Sequence, residues 1–143
     1  MTRIDFYILQ DVDLSAMRRF ACRLAAKAVG SGHRAYVHTS NATAAAEMDE
    51  LLWCYPDNRM IPHGLVGQPE AIGAPVVIGH DDATDWDGLL INLAREIPVF
   101  FGRFDRVAEI VVDESKSMGR DHYKFYRDRG YPLFHHDLDE WET

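Results

Sequence analysis

The stretch from Lys116 to Gly130 gathers the side chains best suited to holding a charged ligand. Residues 116–129 carry five cations (Lys116, Arg120, Lys124, Arg127 and Arg129) against two carboxylates, Asp121 and Asp128, a local balance of +3. On a helix, Lys116, Arg120, Tyr123, Lys124 and Arg127 recur at steps of three and four and share one face. Phe125 and Tyr126 fall off that stripe, where they can anchor the helix to a sheet. Arginine grips a carboxylate with two parallel hydrogen bonds, and lysine adds a mobile charge. A tyrosine among the cations suits a ligand that is both acidic and hydrophobic, such as an acidic peptide ending in an aromatic residue. The same pattern also describes a solvated amphipathic helix whose charges hold nothing. From charge alone that plainer reading stands slightly ahead.

Other residues with chemical potential lack the spacing that chemistry needs. Asp49-Glu50 reads as a solvated helix turn rather than a metal or base pair. His135-His136-Asp137, with His122 upstream, includes no HxH or HxxxH pair, and adjacent histidines on an extended tail point to opposite faces. No metal site is expected. His63, between Ile61-Pro62 and Gly64, reads as a histidine that orients its turn by hydrogen bonding. Cys22 and Cys54 stand apart in apolar surroundings, as small core residues of a protein from a reducing compartment. No GxSxG elbow occurs, and no cysteine has a catalytic partner that the sequence identifies.

The elements that position these residues are legible from periodicity. Ile4-Asp5-Phe6-Tyr7-Ile8-Leu9 reads as a buried first strand. Met17, Phe20, Ala21, Leu24, Ala25 and Ala28 then mark an amphipathic helix that starts near Asp13 or Ser15 and stops at Gly30-Ser31-Gly32. Arg34–Thr39 is the next strand. Ser40 or Asn41 caps a second helix that runs to about Cys54 and is ended by Pro56. Residues 64–75 are loop-rich. Pro75–Ile78, Leu89–Leu93 and Ala108–Val112 are further strands, and a last helix runs from about Ser115 to Arg129. Strands alternating with helices across short joints predict a three-layer, Rossmann-like α/β domain with a mostly parallel sheet. The whole of 1–143 reads as one domain, with about 131–143 a tail packed on the body. The joint after the first strand, Gln10-Asp11-Val12-Asp13-Leu14-Ser15, has no glycine and two acids, and neither GxGxxG nor GxxxxGK[ST] occurs. No nucleotide cofactor is expected.

Composition narrows the function further. The 143 residues are 47% hydrophobic and 27% charged, ordinary values for a folded domain. The net charge of −8 disfavours tight, direct binding of nucleic acid. No apolar run is long enough to span a membrane, and the opening Met1–Asp5 lacks the core of a secretory signal, so a cytoplasmic protein is expected.

Several ordered stretches resemble the chi subunit family of bacterial DNA polymerase III. They are Phe6-Tyr7-Ile8-Leu9, Asp49-Glu50-Leu51-Leu52-Trp53, Ile61-Pro62-His63-Gly64-Leu65, Ala74–Ile78, Glu109–Val112 and Gly119-Arg120…Tyr123-Lys124-Phe125-Tyr126-Arg127…Gly130-Tyr131. The resemblance implies a non-catalytic accessory subunit associated with the clamp loader. Such proteins bind the acidic C-terminal tail of single-stranded DNA-binding protein, whose tip ends in Pro-Phe. The resemblance assigns that tail to Arg120, Tyr123 and Lys124, with Arg127 at the rim. It assigns a second partner, a psi subunit or a helicase, to a notch of Trp53, Met60 and Pro62. The chain departs from the family pattern at Met60, where an aromatic is expected, and Trp53 reads equally well as core. The alternative is a degenerate α/β nucleotide- or nucleic-acid-binding enzyme, with its ligand at the strand ends near Asp11–Ser15.

Overall fold

The computed structural model describes residues 1–57, 60–81 and 87–142. Seven strands form one sheet: β1 (Arg3–Leu9), β2 (Ala35–His38), β3 (His63–Leu65), β4 (Val76–Gly79), β5 (Leu89–Asn92), β6 (Arg106–Val111) and β7 (Leu133–Leu138). Their order is β3-β4-β2-β5-β6-β1-β7, and every neighbouring pair is parallel. Parallel strands need crossovers that cover both faces, so central strands must be apolar throughout. Accordingly, all four residues of β2 and all four of β4 are buried.

Two apolar cores lie on opposite faces of the sheet. On one, helices α1 (Leu14–Gly30) and α2 (Ala42–Cys54) bury Met17, Ala21, Ala25, Ala45, Met48 and Leu52 against Val37, Ile78, Ile91 and Ala108. On the other, helix α3 (Lys116–Asp128) and the short turn 101–103 close over Phe6, Tyr36, Leu90 and Val107. This is the expected three-layer α/β architecture. The starts of α1 and α2 follow the sequence closely, because each is fixed by a side-chain cap. Asp13 Oδ1 accepts from Ala16 N at 3.2 Å, and Asn41 Oδ1 accepts from Ala44 N at 2.8 Å.

Two strands depart from the sequence reading. β3, His63–Leu65, is a three-residue edge strand that runs into the stretch 64–75 read as loop. The tail past Tyr131 does pack on the body, but as strand β7, with Phe6 opposite His135 and Tyr7 opposite His136. A buried carboxylate staples this edge. Asp5, 1% exposed, is 3.0 Å from Arg3 Nη2, 3.1 Å from Arg106 Nη2 and 2.9 Å from His136 Nε2, so β6, β1 and β7 share it. Burial alone would raise the Asp5 pKa, but the bonds from His136 and Arg3 and the Arg106 charge outweigh it and hold the carboxyl below its ordinary value.

The chain then crosses to the α1–α2 face and is latched there. Trp141 Nε1 donates to Asp11 Oδ2 at 2.7 Å, and its ring meets Phe20 edge-on at 5.3 Å. Glu142 takes hydrogen bonds from Arg19 Nε at 2.5 Å and from the Tyr55 hydroxyl at 2.7 Å. Cys22 is buried, which pushes its thiol up to about 12. Cys54 corrects the expectation of a core residue. It sits exposed on the last turn of α2, because the buried stripe there passes through Met48 and Leu52 instead.

Candidate functional site

Helix α3 is set by its neighbours before its outer face is considered. Ser115 Oγ accepts from Val112 N at 3.0 Å, which fixes the first turn. Gly119 lets the helix approach β6 closely; a Cβ there would lie 2.8 Å from Val111 Cγ2. His122 and Tyr126 then turn inward onto Glu109, a carboxylate only 3% exposed in the middle of β6. His122 Nδ1 is 2.8 Å from Glu109 Oε1, the Tyr126 hydroxyl donates to Oε2 at 2.8 Å, and Asn92 Nδ2 donates to the same oxygen at 2.9 Å. Gly130, at φ 78°, ends the helix in a conformation glycine adopts without strain.

The protonation of His122 follows from its partners. Nε2 lies 2.8 Å from the Arg95 carbonyl, so both ring nitrogens face acceptors and both must donate. Burial works against the imidazolium, yet the Glu109 bond and charge win, and the pKa is raised. Burial and the Glu109 charge also push the Tyr126 phenol well above its ordinary value. A raised histidine pKa contributes stability that is complete below the unfolded value of about 6.5 and is lost as pH climbs through the folded value. Urea midpoints are therefore expected to fall as pH rises above about 6.5, and His122→Gln to flatten that slope. An unchanged slope in His122→Gln would reject this assignment.

With the inner face fixed, Lys116, Arg120, Lys124 and Arg127 all project to solvent, and Tyr123 sits half-buried at the rim. The cations are not equivalent. Lys116 pairs with Asp113 at 2.8 Å, Arg127 with Asp128 at 3.3 Å, and Arg129 lies 3.6 Å above the Phe125 ring. Arg120 and Lys124 make no hydrogen bond or ion pair among the described residues. Tyr123 meets Phe6 edge-on at 5.6 Å and lies 5.2 Å from the His135 ring. Two cations unpaired among the described residues thus share a helix with the aromatic edge of Tyr123, on a chain of net charge −8. Such an arrangement attracts carboxylates and offers a ring a place to pack.

The second predicted surface lies at the far end of α2. Trp53 is 57% exposed and Met60 77% exposed, and Pro62 is also exposed. Trp53 is therefore not core; one side of its indole leans on His63, 4.7 Å away. His63 is buried and bridges two acceptors, the Ile61 carbonyl at 2.7 Å and the Asp49 carbonyl at 3.2 Å. It ties this turn to α2, the structural role its position suggests.

The strand ends where a nucleotide would bind are differently furnished. A cleft of about 900 Å³ opens there, lined by Thr39, Ser40, Arg95, Glu96, Glu114 and Asp121 among others. One first-turn amide of each helix, Ala16 N in α1 and Ala44 N in α2, is already taken by Asp13 and Asn41, whose side chains occupy the place a phosphate would approach. His135 and His136, one residue apart, face opposite sides of the sheet. His136 stacks on Tyr7 at 4.7 Å, whereas His135 joins Tyr123.

Sequence comparison decides the family. The model of the DNA polymerase III chi subunit, HolC, matches residues 1–134. The chain belongs to the chi subunit family of DNA polymerase III. The DNA polymerase III subunit chi of Pseudomonas aeruginosa is 42% identical over 141 residues, covering 96% of this chain and 98% of that protein. The Escherichia coli subunit is 33% identical, covering 93% of this chain and 96% of its own. That of Haemophilus influenzae is 34% identical, covering 90% and 92%. Membership places the chain in DNA replication, among the subunits of a polymerase assembly. Among the described residues, no helix is long and apolar enough to cross a membrane.

Proposed function

We propose that this chain is a non-catalytic, cytoplasmic accessory subunit that binds the acidic C-terminal tail of single-stranded DNA-binding protein and links it to the clamp-loader side of the polymerase. The observation that carries this reading is the pair of exposed cations, Arg120 and Lys124, unpartnered among the described residues and on the same helix as half-buried Tyr123. The tail supplies carboxylates for the cations, and its terminal aromatic ring packs at the Tyr123 edge. Arg127, already paired with Asp128, contributes at the rim. Because the cations are exposed, binding should weaken as salt rises. Calorimetry with a peptide carrying the acidic Pro-Phe tail is the test. Arg120→Ala and Lys124→Ala are each expected to cost about 1–3 kcal/mol of binding. Equal affinity for wild type and both variants would reject the site.

A second docking surface, for a psi subunit or a helicase, is supported by the exposure of Trp53 and Met60 beside Pro62. Exposed tryptophan in a small apolar patch is the usual anchor of a protein interface. The competing nucleotide reading is disfavoured by the capped helix starts and by the acids that line the strand-end cleft.

A further inference from the structure

The rim of α3 faces a second wall that the cationic stripe does not include. In parallel register with β1, the pleat of β7 sends Leu133, His135 and Asp137 toward α3, and Phe134, His136 and Leu138 the other way. His135 is exposed and makes no hydrogen bond or ion pair among the described residues. Two rings alone hold its imidazole: Tyr123 at 5.2 Å and Phe6, near-parallel, at 6.2 Å. β7 is the last strand of the sheet, so no further strand covers this ring from the outside. The family match stops at residue 134, immediately before it.

We infer that His135 forms an outer wall beside Tyr123 and packs against the terminal aromatic ring of the bound acidic peptide, setting specificity for an aromatic end. This rests on the proposed tail-binding reading and adds the residue that reads the tip. Arg120 and Lys124 attract any acidic chain equally. A Tyr123–His135 pair floored by Phe6 can distinguish a ring from a small side chain, since ring–ring contacts add energy beyond burial. Position 135 acts through its ring surface, so another ring should serve in its place.

Two acidic peptides identical except for a terminal Phe or Ala test this by fluorescence anisotropy at low salt. His135→Ala should weaken the Phe-ended peptide about 3- to 10-fold and leave the Ala-ended peptide unchanged, and His135→Phe should restore the difference. If His135→Ala weakens both peptides alike or neither, or if His135→Phe fails to restore discrimination, the inference is overturned. Arg120→Ala, run beside them, separates the two failures. A loss there with His135→Ala silent removes only the role of His135. No loss for Arg120→Ala removes the tail-binding site itself and the inference with it.

Discussion

Glu109→Ala is expected to destabilise the protein by about 3–5 kcal/mol, or roughly 10–20 °C in Tm. The substitution removes one carboxylate but strands three buried groups: the His122 ring, the Tyr126 hydroxyl and the Asn92 amide. His122 suffers most, because its imidazolium would be left in the core without a counter-charge. Glu109→Gln should cost far less, about 1–2 kcal/mol. The glutamine oxygen still accepts from Tyr126 and Asn92. Its amide can donate to a neutral His122, whose other nitrogen then donates to the Arg95 carbonyl. The same variant should lose the pH dependence assigned to His122. Thermal melts and urea titrations measure both, and a loss below about 1 kcal/mol in Glu109→Ala would show that the network does not hold α3. Since Glu109 grips α3 from inside, its removal should also weaken peptide binding on the outer face.

A chain ended at Gly130 is expected to lose about 4 kcal/mol or more and to unfold with a smaller denaturant slope. The deletion removes the six residue pairs of β7 with β1. It takes His136 from Asp5 and the Trp141–Glu142 latch from Asp11, Phe20, Arg19 and Tyr55. Ladder bonds each contribute about 0.5–1.5 kcal/mol net, and burial of Leu133, Leu138 and Trp141 adds to them. The slope should fall because less surface is exposed on unfolding. Binding of the Phe-ended peptide should fall as well, with His135 gone. A truncated chain as stable as the whole one would mean that the tail is an appendage rather than a wall of the fold.

The central sheet and all three helices were legible because their signals are local. Apolar runs at 4–9, 35–38 and 89–92 need no partner to be recognised, and Asp13, Asn41 and Gly130 mark helix ends by their own chemistry. The exposed face of α3 followed from spacing alone. What the sequence hid is what depends on distant pairing. Leu133–Leu138 places two histidines and an aspartate in a row between apolar residues, without the period-two alternation of a strand, and reads as a polar tail until β1 is beside it. Glu109 sits in an apolar run, and its partners Asn92, His122 and Tyr126 lie 13 to 17 residues away on other elements. Trp53 could have been core or surface, and the buried stripe of α2, through Ala45, Met48 and Leu52, leaves it on the exposed side. Cys54 misled for the same reason, as its apolar neighbours in sequence are not its neighbours in space.

The placement of β1 bears on how the chain acquires its shape during synthesis. Residues 3–9 are made well before both their neighbours in the sheet, 106–111 and 133–138. This segment, with its Phe6 and Tyr7, must therefore wait until residues 106–111 have been made before it finds a hydrogen-bonding neighbour in the sheet. Pairings of such long sequence separation form slowly and leave a sticky strand exposed meanwhile. A nascent chain halted before residue 106 should thus depend on chaperones, whereas one that includes β6 and β7 should not.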